Sequence, residues 1–224
     1  MLRDEITIET KNGLHYVVTD GEKGLTQKPW IGDLFASTYD FFMEKSVFPK
    51  KFNADMDRHY QILQGELSKS HGKIVLELAA GNGSAVYFLP TDNDYTGIDI
   101  SPGLLKRAKK NFYESGFADA EFYVTGVENL PFKDSIFTLV LCILALNFFD
   151  DLPAVFAEIK RVSAEGASFL CATPVLERKR NESKITGTVY SEKEIVRTCE
   201  EAGFIYRPVS EENGGLLYFW ADLP

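Results

Sequence analysis

Cysteine is scarce in this chain: Cys142, Cys171 and Cys199 are the whole complement. They stand far apart among apolar neighbours and form neither a C-x-x-C pair nor a metal-ligand spacing. That excludes a disulfide framework or a zinc site and fits buried, reduced thiols in a cytoplasmic protein. No apolar run is long enough for a bilayer span, so no membrane role is expected. Met1-Leu2-Arg3-Asp4-Glu5 is polar and lacks the core of a secretory leader. Positive charge is also short: 24 Lys and Arg face 33 Asp and Glu, a formal net charge of -9. Such a surface repels phosphate backbones and disfavours nucleic acid as a partner. The sequence contains no internal repeat, no low-complexity segment and no Ser-His-Asp or metal-ligating constellation. What remains is ordinary globular composition, 45% hydrophobic and 25% charged over 224 residues, enough for one α/β domain with a sizeable core.

The informative stretch is 73–110. Ile74-Val75-Leu76 is a short apolar run stopped by a Gly-rich turn, the pattern of a buried parallel strand. Gly81 and Gly83 allow a tight turn and close approach to a ligand, and Ser84 is placed to cap a following helix. A second strand, Tyr95-Thr96-Gly97-Ile98, ends on Asp99, a carboxylate suited to a pair of ribose hydroxyls. The dinucleotide fingerprint G-x-G-x-x-G fails, because Val86 occupies its third glycine position, and this argues against NAD.

These motifs resemble those of class I S-adenosylmethionine (SAM) dependent methyltransferases. Glu77, Ala79, Gly81 and Gly83 match the acid-x-G-x-G-x-G turn, and Gly97-Ile98-Asp99-Ile100-Ser101 matches G-hydrophobic-D-hydrophobic-S. Thr125-Gly126-Val127 through Leu130-Pro131-Phe132 is similar to G-D-A-x-x-L-P-F, with Gly126 where the family has its adenine-binding Asp. Glu158-Ile159-x-Arg161-Val162 and Glu201-Ala202-Gly203-Phe204 resemble later family segments, while Asn147 stands where a His is frequent. Tyr39-Asp40-x-Phe42-Met43 resembles the Tyr-Asp segment of quinone-type and related small-molecule methyltransferases.

The resemblance implies a Rossmann-like, doubly wound α/β fold. Its seven-stranded, mostly parallel sheet would end in a terminal antiparallel hairpin. Ahead of it, residues 1–30 read as a β-hairpin appendage, turning on Asn12-Gly13, and a loop. Residues 31–224 form the methyltransferase domain, with a two-helix cap over 31–71. One cap helix is expected from Asp33 to about Val47, stopped by Pro49, and the other from Asp55 to Ser70. Later helices are expected after Ser101-Pro102, after Asp151 and at the Ser191–Glu194 capping box.

By resemblance, the cofactor is SAM. Tyr39 approaches its methionine end, Glu77 holds the amino group, and Ala79, Gly81 and Gly83 form the turn. Asp99 takes the ribose, Ile100 packs on adenine, Val127 donates its backbone amide to the ring beside Gly126, and Ile143 and Leu144 face the sulfonium. No general base is evident; Tyr39 and His59 are the candidates. The aromatics Trp30, Phe35, Tyr39, Phe41, Phe42, Phe48, Phe52 and Tyr60 serve either as core or as an apolar pocket for a small-molecule acceptor. A different reading, motivated by Ala79, Gly126 and Asn147, is a SAM-binding partner subunit without chemistry.

Overall fold

A computed structural model describes residues 1–18, 43–178 and 184–224. The expected loop from Thr19 to Pro29 and the first cap helix up to residue 42 fall outside the described residues.

The N-terminal hairpin forms as expected. Strand β1 (Thr7–Lys11) pairs antiparallel with β2 (Leu14–Val18). It is not a separate appendage, however: β2 continues the main sheet, pairing parallel with β5 (Glu121–Val124) through His15–Tyr123 and Tyr16–Val124. The remaining strands are β3 (Ile74–Leu78), β4 (Asp94–Asp99), β6 (Phe137–Ile143), β7 (Ser163–Pro174), β8 (Ile205–Pro208) and β9 (Leu216–Asp222). The order across the sheet is β1-β2-β5-β4-β3-β6-β7-β9-β8. The expected seven strands, β3 to β9, are therefore present, with β9 antiparallel to both β7 and β8. Connections run one way from β3 to β4 and the other way to β6, so the strand order reverses at the β3/β6 boundary. In open α/β sheets, ligands bind outside the C-terminal strand ends at such a reversal.

Helices cover both faces. On one side lie α1 (Met56–Leu67) and α2 (Pro102–Glu114), which bury Leu63, Leu67, Leu105 and Phe112 against the sheet. On the other lie α3 (Leu152–Val162) and α4 (Glu192–Glu201), burying Phe156, Ile159, Ile195 and Cys199. Burial of each such side chain contributes about 1.5–3 kcal/mol. Their starts follow the sequence signals. Asp55, Ser101 and Asp151 each accept a backbone N–H from the first turn, and Ser191 and Glu194 form a reciprocal capping box.

Two local expectations are corrected. Pro49 does not end the segment before α1: Met43–Phe52 is π-helical and runs through it. Burial of Val47, Phe48 and Phe52 sets its path, and the Phe52 carbonyl accepts from Gly215 N–H. Ser84 is not a cap. Only a single 3₁₀ turn, Ser84–Tyr87, follows the Gly turn, entered from Gly83 in left-handed backbone.

Candidate cofactor site

The turn after β3 alternates hand. Ala79, Gly81 and Gly83 have φ of 52°, 55° and 80°, so all three family glycine positions are left-handed, and Ala79 holds that conformation despite its Cβ. The two true glycines differ in purpose. A Cβ on Gly81 would meet nothing closer than the Ala79 carbonyl at 3.9 Å, so this position is open for a ligand. A Cβ on Gly83 would lie 2.8 Å from Cα of Ala108 on α2. Gly83 lets α2 pack against the turn, and it lines neither cavity described below.

Asp99, at the tip of β4, locks the turn in place. One carboxylate oxygen accepts Gly81 N–H at 2.9 Å and the other accepts Ser101 N–H at 2.8 Å. A carboxylate has about four acceptor directions and suits ligand hydroxyls as well as backbone N–H groups. Glu77 is 2% exposed and accepts the Tyr95 hydroxyl. Gly97 is paired with Glu77 across β3 and β4, and a Cβ there would stand 3.0 Å from the Tyr95 oxygen, so its absence gives that hydroxyl room. Burial pushes the Glu77 carboxyl up to about 8, overcoming the Tyr95 hydrogen bond, which favours ionisation; the negative charge of Asp99 adds to the rise.

Two cavities meet over this turn. The larger, about 320 Å³, is lined by Asp99, Ile100, Gly126, Val127, Glu128 and Phe148 among others. Ile100 is 56% exposed, an apolar face turned outward beside an acid. Val127 is buried, and among the described residues its N–H has no partner. The smaller cavity, about 60 Å³, is lined by Glu77, Asn82, Ser84, His59, Tyr60 and Phe48 among others. Ala79, Gly81, Ile143 and Leu144 border both. Leu144 has a φ of 57°, where β6 leaves the sheet. The donor and acceptor set fits SAM: an acid for a ribose, an apolar shelf and free amide for adenine, and a second acid in a narrow recess for an amino-acid end.

The structure thus brings together Glu77, Ala79, Gly81, Asp99, Ile100, Gly126, Val127, Ile143 and Leu144, sets Gly83 behind them, and adds His59 to the smaller recess. Tyr39 lies outside the described residues. Sequence reasoning missed Glu128 and Phe148. A Cβ on Gly126 would fall 2.6 Å from Glu128 Oε2, so the Glu128 carboxylate covers the space a side chain at 126 would enter. Asn147 acts as a fastener, not a reactive group: its Nδ2 donates to the Thr186 carbonyl at 2.7 Å, and Thr188 N–H donates to its carbonyl. Glu158 and Arg161 are structural too. They hydrogen-bond each other, Glu158 accepts Leu130 N–H, and Arg161 donates to the Leu130 and Phe132 carbonyls, fixing the loop that carries Val127 and Glu128.

A family profile described as "Methyltransferase domain" matches residues 69–214, roughly two thirds of the chain. The chain belongs to that family, and its fold is the Rossmann-like class I fold of SAM-dependent methyltransferases. It is 30% identical over 195 residues to phthiotriol/phenolphthiotriol dimycocerosates methyltransferase 1 of Mycobacterium ulcerans, an alignment covering 82% of this chain and 69% of that protein. It is 26% identical over 137 residues to the uncharacterized methyltransferase YcgJ of Bacillus subtilis, covering 61% of this chain and 52% of YcgJ. Against several curated relatives, the matched stretch spans about half their length or less. Among solved structures, a SAM-dependent methyltransferase from Aquifex aeolicus superposes with a TM-score of 0.64 at 18% identity, covering 84% of this chain and 98% of that one. Among the described residues no helix is long and apolar enough to cross a membrane, and no cluster of metal-ligating side chains occurs.

Proposed function

We propose that this chain transfers a methyl group from SAM to a small, partly apolar acceptor. The observation that carries the reading is Asp99, whose carboxylate joins the Gly turn to the start of α2 at the mouth of the larger cavity. When bound, SAM supplies a methyl group on a sulfonium, a leaving group already activated. The chain's own task is then placement. Asp99 accepts ribose hydroxyls, Ile100 packs on adenine, and Val127 N–H donates to the ring. Glu77 receives the ammonium, and Ile143 and Leu144 keep water from the neck where the cavities meet. Alignment of this kind supplies ~7–11 kcal/mol of a displacement barrier without an acid–base triad.

The net charge of -9 argues against a polyanion. The M. ulcerans relative, named for phthiotriol dimycocerosates, points the same way. A SAM-binding subunit without chemistry would carry the same cofactor groups, and turnover of bound SAM separates the two readings. Two measurements test the proposal. Calorimetry should show micromolar or tighter binding of SAM and its demethylated product and none of NAD. Radiolabelled SAM should label small organic acceptors and leave tRNA and histone-like protein unlabelled. Selective NAD binding, or efficient labelling of tRNA, would overturn it.

A further inference from the structure

His59 on α1 is 3% exposed and lines the smaller recess together with Glu77. Its Nδ1 lies 2.9 Å from the hydroxyl of Tyr218 on β9, a residue that does not line that recess. Tyr218 is fully buried, and its oxygen also lies 3.2 Å from Asn213 Nδ2. The orientation of the Asn213 amide is fixed. Its Oδ1 accepts Asp55 N–H at 2.9 Å, and its Nδ2 donates to the Asp55 carbonyl at 2.8 Å. Nδ2 is therefore the donor to Tyr218, and the Tyr218 oxygen accepts. Among the described residues, the one acceptor left for the Tyr218 proton is His59 Nδ1. The opposite arrangement would leave a buried hydroxyl proton without a partner, which is strongly disfavoured. The relay thus assigns the ring proton of His59 to Nε2, the ring nitrogen that Tyr218 does not engage, which meets no partner among the described residues.

Burial holds the His59 imidazole neutral, pushing its pKa down to about 3. A neutral ring carrying Nε2–H has its one lone pair engaged by Tyr218, so it offers a hydrogen bond and does not accept a proton. Glu77, also buried in the recess beside Asn82, is an acid. A recess of about 60 Å³ equals on the order of two waters at their liquid volume, so it admits a small polar head group and little more. An acid on one wall and a fixed N–H on another complement the two charges of an α-amino acid.

We propose that His59 donates Nε2–H to the α-carboxylate of the cofactor's methionyl end, and that Asn213 and Tyr218 are positioning residues that fix its tautomer. This assignment rests on the SAM reading above and deepens it. The test compares S-adenosylhomocysteine with its decarboxylated analogue on wild type, His59→Leu and His59→Gln by calorimetry. Wild type should prefer the carboxylated ligand by about tenfold or more. His59→Leu should abolish that preference while binding the decarboxylated ligand as wild type does, and His59→Gln, which keeps an amide donor, should restore part of it. Because the readout is a ratio within one protein, a general loss of stability does not mimic it. Nitrogen–proton correlation spectra give an independent check: the Nε2–H tautomer should persist to pH 5 in wild type and be lost or mixed in Tyr218→Phe. A preference for the carboxylated ligand that survives His59→Leu, or an Nδ1–H tautomer in wild type, would overturn the assignment alone. Wild type that binds neither ligand would overturn the cofactor reading with it.

Discussion

Tyr95 donates its hydroxyl proton to Glu77 from the neighbouring parallel strand, next to the one residue of that strand pair that has no side chain, Gly97. The pair joins the core of the sheet to the recess above it.

The first prediction follows from the raised Glu77 pKa. With a value near 8 against an ordinary 4.5, the free protein keeps Glu77 protonated at neutral pH. An incoming ammonium favours the carboxylate, so binding releases a proton. Affinity for S-adenosylhomocysteine should rise between pH 6 and 7.5 by up to about tenfold per unit, and Glu77→Gln should flatten the slope. Calorimetry in buffers of different ionisation enthalpy measures the proton directly; a pH-independent wild type would rule the coupling out. The stability effect has the opposite sign. Glu77 stabilises the fold fully below pH 4.5 and loses that contribution as pH rises to 8, so Glu77→Gln should compare better with wild type at pH 8 than at pH 5.

Asp99→Ala should damage binding and folding together. The carboxylate accepts Gly81 N–H and Ser101 N–H, so its loss leaves two donors unpaired at the turn. Each hydrogen bond to a charged group is worth about 1.5–3 kcal/mol. We expect at least a tenfold loss of 5′-methylthioadenosine affinity and a lower melting temperature. An unchanged affinity would remove Asp99 from the ribose contact.

Alanine at the two turn glycines should separate packing from binding. Gly83→Ala combines left-handed strain with a methyl pressed on Ala108, for about 2–4 kcal/mol of destabilisation. Gly81→Ala meets open space, so strain alone should cost about 1–2 kcal/mol, while cofactor affinity falls because the methyl enters the cavity side. Chemical denaturation and calorimetry on both variants check the split. Equal stability losses would contradict it.

Much of this site was legible because its signals are local. The caps of α2 and α4 lie within three residues of what they contact, and Asp99 follows its partner Gly81 by only 18 positions. The distant partners were not legible. Nothing near His59 announces Tyr218 or Asn213, since they lie more than 150 positions away and meet it only through packing of α1 on β9. The cysteines read as scattered, yet Cys142 and Cys171 are cross-strand neighbours on β6 and β7, and Cys199 belongs to the same buried cluster. Gly83 looked like a ligand contact because glycine serves close packing and close binding equally well. Pro49 looked like a stop because propensity takes no account of what Phe48 and Phe52 bury.

A fourth prediction concerns the position where the family has an acid. With Glu128 Oε2 in the space over Gly126, Gly126→Asp alone sets two carboxylates together and should not tighten binding. If Glu128 is the acceptor for the adenine amino group, Glu128→Ala should weaken S-adenosylhomocysteine by about fivefold and leave S-inosylhomocysteine, which lacks that amine, unaffected. Equal effects on the two ligands would show that Glu128 acts elsewhere.

The pairing of β2 with β5 has a consequence for synthesis. β2 leaves the ribosome about a hundred residues before the strand it joins, an interval on the order of 5–20 s at usual elongation rates. The β1–β2 hairpin is local and can close within microseconds. Glu9 and Lys11 guard its outer strand with charge, but the inner edge of β2 stays open until β5 emerges. During that wait, any strand from a neighbouring nascent chain competes for the same backbone groups. On this topology, slower translation through residues 19–120 should lengthen that exposure and lower the yield of folded protein.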